Sequence, residues 1–252
     1  MTGLTFRLSG NTAMFKKRDV NSSIYLTYNH IHKVALLGLL GSIIGLDGYL
    51  QQFQYNELHE DKMEFPKFYE KLQDLKVAIV PLSSKGYFSK KLQVFNNSVG
   101  YASAEEGGNL IVREYWLEYP KWQIYLYSAN QNIMSKLKDY LLGGKCVYTP
   151  YLGKNDHLAD ITHVKEVEFS IPKEVDKINS LVSMKKINFT TGSLRNKNKE
   201  DMFMFKESLP IELVPYDNIY VFDTFIYTNQ YVKDILEDKC IYSCEGNNLY
   251  MF

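Results

Sequence analysis

Cysteine is scarce in this 252-residue chain and has no obvious partners. The three residues, Cys146, Cys240 and Cys244, include no CxxC pair, which excludes a disulfide framework and leaves reduced thiols in a cytosolic compartment as the expectation. Cys240 and Cys244 stand four apart with no third or fourth ligand close in sequence, so no metal site is expected there. Long apolar runs are also missing. The longest, residues 34–46, is 13 residues long and too short to cross a bilayer. The opening MTGLTFRLSG has no basic stretch leading into an apolar one, so no secretion signal is expected. A cytoplasmic protein without membrane contact follows.

Nucleotide-binding glycine signatures are absent, since GxxGxxxG at 38–45 is neither GxGxxG nor GxxxxGK[ST]. The five histidines are scattered, and His30 and His32, two apart, would not face one metal from a helix. No Ser/His/Asp order announces itself, and no internal repeat is visible. The expectation is a protein without cofactor, metal or catalytic residue. Net charge is missing too: 29 basic residues balance 29 acidic ones. A polyanion partner is at first sight disfavoured, but the charges come in blocks. Residues 1–46 carry +4, 75–104 carry +4, and 201–252 carry −6, a pattern able to fold into a basic face backed by an acidic one.

What is present reads as alternating short elements. LTFRL (4–8) alternates like a half-buried strand. A polar, basic and aromatic segment (12–29) leads into the apolar run, with Asn29 as the expected N-cap and Asp47-Gly48 as the stop. An acidic helical connector reaches residue 72, and KVAIVPL (76–82) is a buried strand. A long hairpin follows: 90–103 leads out, 105–109 turns and 110–119 returns. WQIYLYS (122–128) is a strand, 132–145 a helix ending in a glycine cap, and 162–170 another strand. With the hairpin set aside, the order is βαββαβ. The expected fold is α+β: a ferredoxin-like (RRM-like) domain over 1–170 with an inserted hairpin at about 84–118. A small β-rich appendage over 171–252 follows, after a polar basic stretch at 190–201.

Within the first helix, Ala35, Gly38, Ser42 and Gly45 fall on one smooth stripe, which is expected to pack tightly on the sheet. The start of that helix, with Asn29, His30, His32 and Lys33, offers N–H groups and donors to an anion. A second loop, YLGKNDHLADI (151–161), places Gly153, Lys154, Asn155 and His157 together.

LTFRLSGNTAMFKK, then HKVALLGLLGSIIGLDGY, NNSVGY in the hairpin and YLGKNDHLADI resemble the fifth family of CRISPR-associated proteins, Cas-five, in order and spacing over residues 1–165. The small C-terminal part is similar to the type I-B form. The resemblance implies a ferredoxin-like RNA-binding subunit with a thumb hairpin. Such a subunit caps one end of the guided surveillance complex called Cascade and holds the 5′ handle of the crRNA. It contacts the Cas-seven backbone subunits and the large subunit, and target DNA is met only through the assembled complex. Carried over, Asn11, Phe15, Lys16, Lys17 and Arg18 after the first strand, Tyr28, Asn29, His32 and Lys33 at the helix start, and Lys154 and His157 in the loop become handle contacts. Lys85, Lys90, Lys91, Asn96 and Asn97 belong to the thumb. WQIYLYS does not fit the usual aromatic RNA-recognition signature, so RNA is expected across loops and thumb rather than on the sheet. Two other readings remain open. One is a metal-independent endoribonuclease built on Tyr28, His30, His32 and Lys33, as in type I-C members. The other, without the resemblance, is a ferredoxin-like protein with a small metabolic ligand.

Overall fold

The computed structural model describes residues 1–18, 23–97, 110–190, 201–237 and 240–252. The hairpin turn at 105–109 and residues 191–200 of the basic stretch lie outside them. The fold is α+β with antiparallel sheets and few helices. Its largest sheet joins β1 (Thr2–Ser9), β3 (Lys76–Pro81), β6 (Lys121–Tyr127) and β7 (Asp160–Glu168) in the order β3-β6-β1-β7. The period-2 alternation of a strand sends Leu4, Phe6 and Leu8 of β1 to one face and Thr5 and Arg7 to the other. Trp122, Ile124 and Leu126 of β6 and Val77 and Ile79 of β3 share the first face. They form one core with Leu36, Leu37 and Leu40 of α1 (Lys33–Ile43) and with Met134, Leu137 and Leu141 of α4 (Gln131–Leu142). On the opposite face a smaller cluster joins Ala78, Tyr125, Val167 and Phe169 to Leu249 and Met251 near the C-terminal end.

The first helix starts later than expected. His32, not Asn29, is its N-cap, accepting the Ala35 N–H on Nδ1 at 3.2 Å. Its small-residue stripe also departs from expectation. The leucines occupy the sheet side, leaving Ala35, Gly38 and Ser42 outside. The close approach falls at Gly41, where a Cβ would stand 2.5 Å from Phe68 Cβ of α3 (Lys67–Leu72). Gly45, at φ 74°, ends the helix under Val147. The penalty of glycine in a helix is thus offset by helix packing at one position and by termination at another. The short helix α2 (Tyr49–Leu58) begins directly after Gly48.

The hairpin consists of β4 (Lys90–Asn97) and β5 (Leu110–Glu118), in register from Lys90↔Leu117 to Asn97↔Leu110. A two-residue strand, β2 (Thr12–Ala13), joins its base through Thr12↔Glu118. Beyond residue 170 come β8 (Val182–Ser183), β9 (Ile187–Phe189), β10 (Met204–Leu213), β11 (Tyr220–Thr228), β12 (Val232–Ile235), β13 (Ile241–Cys244) and β14 (Asn247–Tyr250). They form the sheets β10-β11-β8, β12-β9 and β13-β14. Leu209, Leu213, Phe225 and Ile226 enter the same core as α1. Among the described residues no helix is long and apolar enough to cross a membrane.

Candidate nucleic-acid interface

Four segments meet at the hairpin base, and they are the segments that carry the expected contacts. Residues 11–18 run beside residues 25–28: Lys17 N donates to Leu26 O at 2.8 Å, and Tyr28 N donates to Phe15 O at 2.9 Å. Tyr25 bridges to Glu114 on β5. The Asn29 side-chain oxygen accepts the Phe88 N–H at 3.2 Å, which ties in the hairpin entry. The 151–158 loop docks through Met14 N, which donates to Leu152 O at 3.0 Å. Gly153 is required at this junction. It has φ 90°, and a Cβ there would lie 2.0 Å from Met14 O. Gly153→Ala is expected to lower unfolding free energy by about 3 kcal/mol, read as a lower urea midpoint at unchanged slope.

Two buried carboxylates organise the basic residues. Glu114 accepts from Lys154 Nζ at 2.9 Å on both oxygens and from Trp116 Nε1 at 2.8 Å. Glu207, on β10, accepts the Asn29 backbone N–H at 2.9 and 3.1 Å and lies 3.6 Å from Lys17 Nζ. Burial pushes the Glu207 carboxyl above its usual range, while the Asn29 N–H, Lys17 and Lys90 pull the other way. The protein itself therefore supplies an anion beside the start of α1, where an external one was expected.

The remaining expected contacts divide by burial. Phe15, Tyr28, Asn29, His32 and His157 are buried, which makes them supports of the surface rather than parts of it. Lys33 is half-buried, and burial lowers its pKa against the opposing pull of Glu212 and Asp74. His157 Nδ1 lies 2.7 Å from Thr12 Oγ1 and its ring packs edge-on against Trp116. Asn11, Lys16, Arg18, Lys85, Lys90, Lys91 and Asn96 are exposed, although Lys90 Nζ turns to Thr27 O at 3.5 Å. Lys16 sits 3.7 Å over the Tyr25 ring and Arg18 sits 4.1 Å over the Tyr220 ring. These cations are thereby held in place while still facing solvent. The side chain of Asn97 lies outside the described residues.

Beside Arg18 the structure adds a feature that sequence analysis missed. The outward stripe of α1, Ala35, Gly38 and Ser42, floors a groove of 600 Å³ walled by Tyr49, Tyr148, Tyr151 and Tyr220. Tyr148 and Tyr151 are exposed. The stripe was legible in sequence, but nothing local announced that Tyr148, Tyr151 and Tyr220, more than a hundred residues away, would help to wall it. Tyr28, His30 and His32, the candidates for cleavage chemistry, are enclosed. His30 Nδ1 accepts from Trp122 Nε1 at 3.2 Å, and burial lowers both histidines to about 3. Among the described residues no group of three or more His, Cys, Asp or Glu is placed to hold a metal.

No protein-family model matches the chain, and no curated protein matches it by sequence. Solved structures do match. A chain of a CRISPR RNA-guided surveillance complex aligns over 91% of this chain and 91% of that one, at 10% identity and a TM-score of 0.51. A CRISPR protein from Archaeoglobus fulgidus aligns over 99% and 98% at 11% identity, with a TM-score of 0.46. The alignment with a further Cas protein covers 62% of this chain and 57% of the other's length, at 15% identity and a TM-score of 0.36. What the chain shares with the surveillance-complex chain, at 10% identity, is its fold.

Proposed function

We propose that the chain is a non-catalytic, cytoplasmic crRNA-binding subunit of a type I, I-B-like Cascade complex. In this reading it caps the 5′ handle and contacts the Cas-seven backbone and the large subunit. The observation that carries the proposal is the fold match to a chain of an RNA-guided surveillance complex over nine-tenths of both chains. The sheet order β3-β6-β1-β7, with α1 and α4 between β1 and β3 and between β6 and β7, supports a ferredoxin-like domain over 1–170. The β4–β5 hairpin, standing outside that sheet, supports the role of thumb, and 171–252 is the β-rich region added to this domain. Lys16, Arg18, Lys85 and Lys91 take phosphates, and the tyrosine-walled groove takes unstacked bases. The enclosure of Tyr28, His30 and His32, with imidazole nitrogens already accepting internal N–H groups, favours binding over cleavage.

Co-expression with the neighbouring complex subunits and a repeat-spacer RNA, followed by purification through a tag on this chain, tests the reading. A guide with one fixed 5′ end, crosslinked within 12–33 or 84–118, is expected; recovery of the chain free of RNA and partners overturns it. Within such a complex, replacing both Lys16 and Arg18 with alanine should flatten the log–log salt dependence by roughly 0.7 per lost phosphate contact. Lys17→Ala, whose ammonium already faces Glu207, should change it less. Equal slopes for all variants would remove Lys16 and Arg18 from the interface.

A further inference from the structure

The sheet face turned away from the helices carries a second cavity, far from the segments above. It measures 530 Å³ and is lined by Val80, Gln123 and Tyr125 on one side, by His163, Val164 and Lys165 of β7, and by Glu245 and Asn247 of the β13–β14 turn. Arg7, on the central strand β1, also lines it. Its neighbours are all engaged: Gln123 Nε2 donates to Thr5 Oγ1 at 2.8 Å, Thr5 Oγ1 donates to Ile124 O at 2.8 Å, and Lys165 pairs with Glu245 at 2.6 Å. Arg7 is not. It is half-buried, its Nε is enclosed and bonded to nothing, and no described carboxylate lies within ion-pair distance. An enclosed N–H left without an acceptor is costly, and a charged group holding one at a cavity wall is placed for an anion that arrives from outside.

The backbone around Arg7 is shaped for access. Pairing of β1 with β7 passes from Thr5↔Lys165 to Arg7↔Thr162, so β7 carries one extra residue opposite Phe6, immediately before Arg7. His163 lies in this bulge at φ 55°, a conformation that histidine adopts seldom. Bulges of this kind re-aim side chains next to binding sites, and here His163 and Lys165 both reach the cavity wall.

We propose that this cavity binds a phosphate group, with Arg7 as the principal ligand and Lys165 and His163 at its rim. The planar fork of arginine matches two phosphate oxygens at once, and the remaining volume accommodates what the phosphate is attached to. The site is independent of the RNA reading, because it lies on another face and inorganic phosphate suffices as its probe.

The chain has four arginines, Arg7, Arg18, Arg113 and Arg195, so arginine-selective ¹⁵N labelling of the full chain yields a small set of Nε–H signals, assigned with Arg7→Lys. Titration with sodium phosphate, against sodium chloride at equal ionic strength, is expected to move the Arg7 signal saturably, and Arg7→Met should weaken phosphate binding about tenfold or more. In chloride, Arg7→Met should unfold about 2–4 °C higher than the parent, because an enclosed N–H without an acceptor has gone. Phosphate should then raise the midpoint of the parent only. An Arg7 signal that stays still, or moves as much in chloride, overturns the proposal, and this readout uses the parent chain, so it stands whether or not the variant folds. Competition by an oligoribonucleotide lacking a terminal phosphate would assign the group to an RNA backbone. Displacement only by phosphate or a 5′-phosphorylated nucleotide would assign it to a small molecule.

Discussion

Acidification from pH 7 to pH 5 is expected to cost the folded chain about 4 kcal/mol, roughly 2 kcal/mol for each of two buried histidines. His30 and His32 are enclosed, and burial lowers both to about 3, far below the ordinary value of 6.5. Each ring accepts an N–H on Nδ1, from Trp122 and from Ala35 respectively, so protonation would break that bond as well as bury a charge. The native state therefore stays neutral through this window while the unfolded chain takes up two protons. Stability is fully present above pH 6.5 and falls as pH drops below it. His157, also lowered by burial, acts in the same direction. A loss of this size is a large part of the stability of an ordinary domain. Urea unfolding between pH 7 and 5, where most carboxylates remain ionised, measures it. His32→Asn keeps an N-cap acceptor for Ala35 and should remove about half of the slope. A slope unchanged in His32→Asn would show that the ring is protonated in the native state.

Glu207→Ala is expected to destabilise the chain by about 3–5 kcal/mol, the cost of removing one partner from a buried ionic arrangement. The carboxylate is enclosed, accepts the Asn29 N–H and stands beside Lys17. Its loss leaves a buried N–H unpaired and two ammonium groups, those of Lys17 and Lys90, without their counter-charge. Glu207→Gln, which still offers a carbonyl oxygen to Asn29, should cost less. It should also bind single-stranded RNA more tightly and with a steeper salt dependence, since the lysines are no longer neutralised from within. Chemical denaturation of both variants, with salt-dependent RNA binding of Glu207→Gln, separates the two effects. Weaker RNA binding by a folded Glu207→Gln would mean that the carboxylate positions Lys17 rather than competing for it.

The strands β1, β3 and β6, the hairpin and the 151–158 loop were legible because their signals are local: alternation in LTFRL, turn residues and a glycine between two elements. Residues 11–18, 25–33, the hairpin base and the loop, which carry the residues singled out, lie together in the fold. What could not be read were the partners. Glu114 and Glu207 lie 40 and 178 residues from Lys154 and Asn29, and an acidic residue in a strand gives no sign that it will be buried against a lysine. Local features misled at α1 as well. Asn29 is a good capping type, yet Glu207 and Phe88 claim its polar groups, and His32 takes the cap. The small stripe lost the sheet to the leucines because burying large apolar side chains contributes more than close backbone approach.

The distance between Asn29 and Glu207 has a consequence for the growing polypeptide. At roughly 5–20 residues per second, the ribosome needs about 10–35 s to travel from one to the other. Throughout that interval the segment with Lys16, Lys17 and Arg18, and later Lys90, exists without its carboxylate. The nascent N-terminal part is therefore more basic than the finished molecule, and neutralisation is the last step in assembling this corner. A protein released before β10 is made would keep that excess of positive charge.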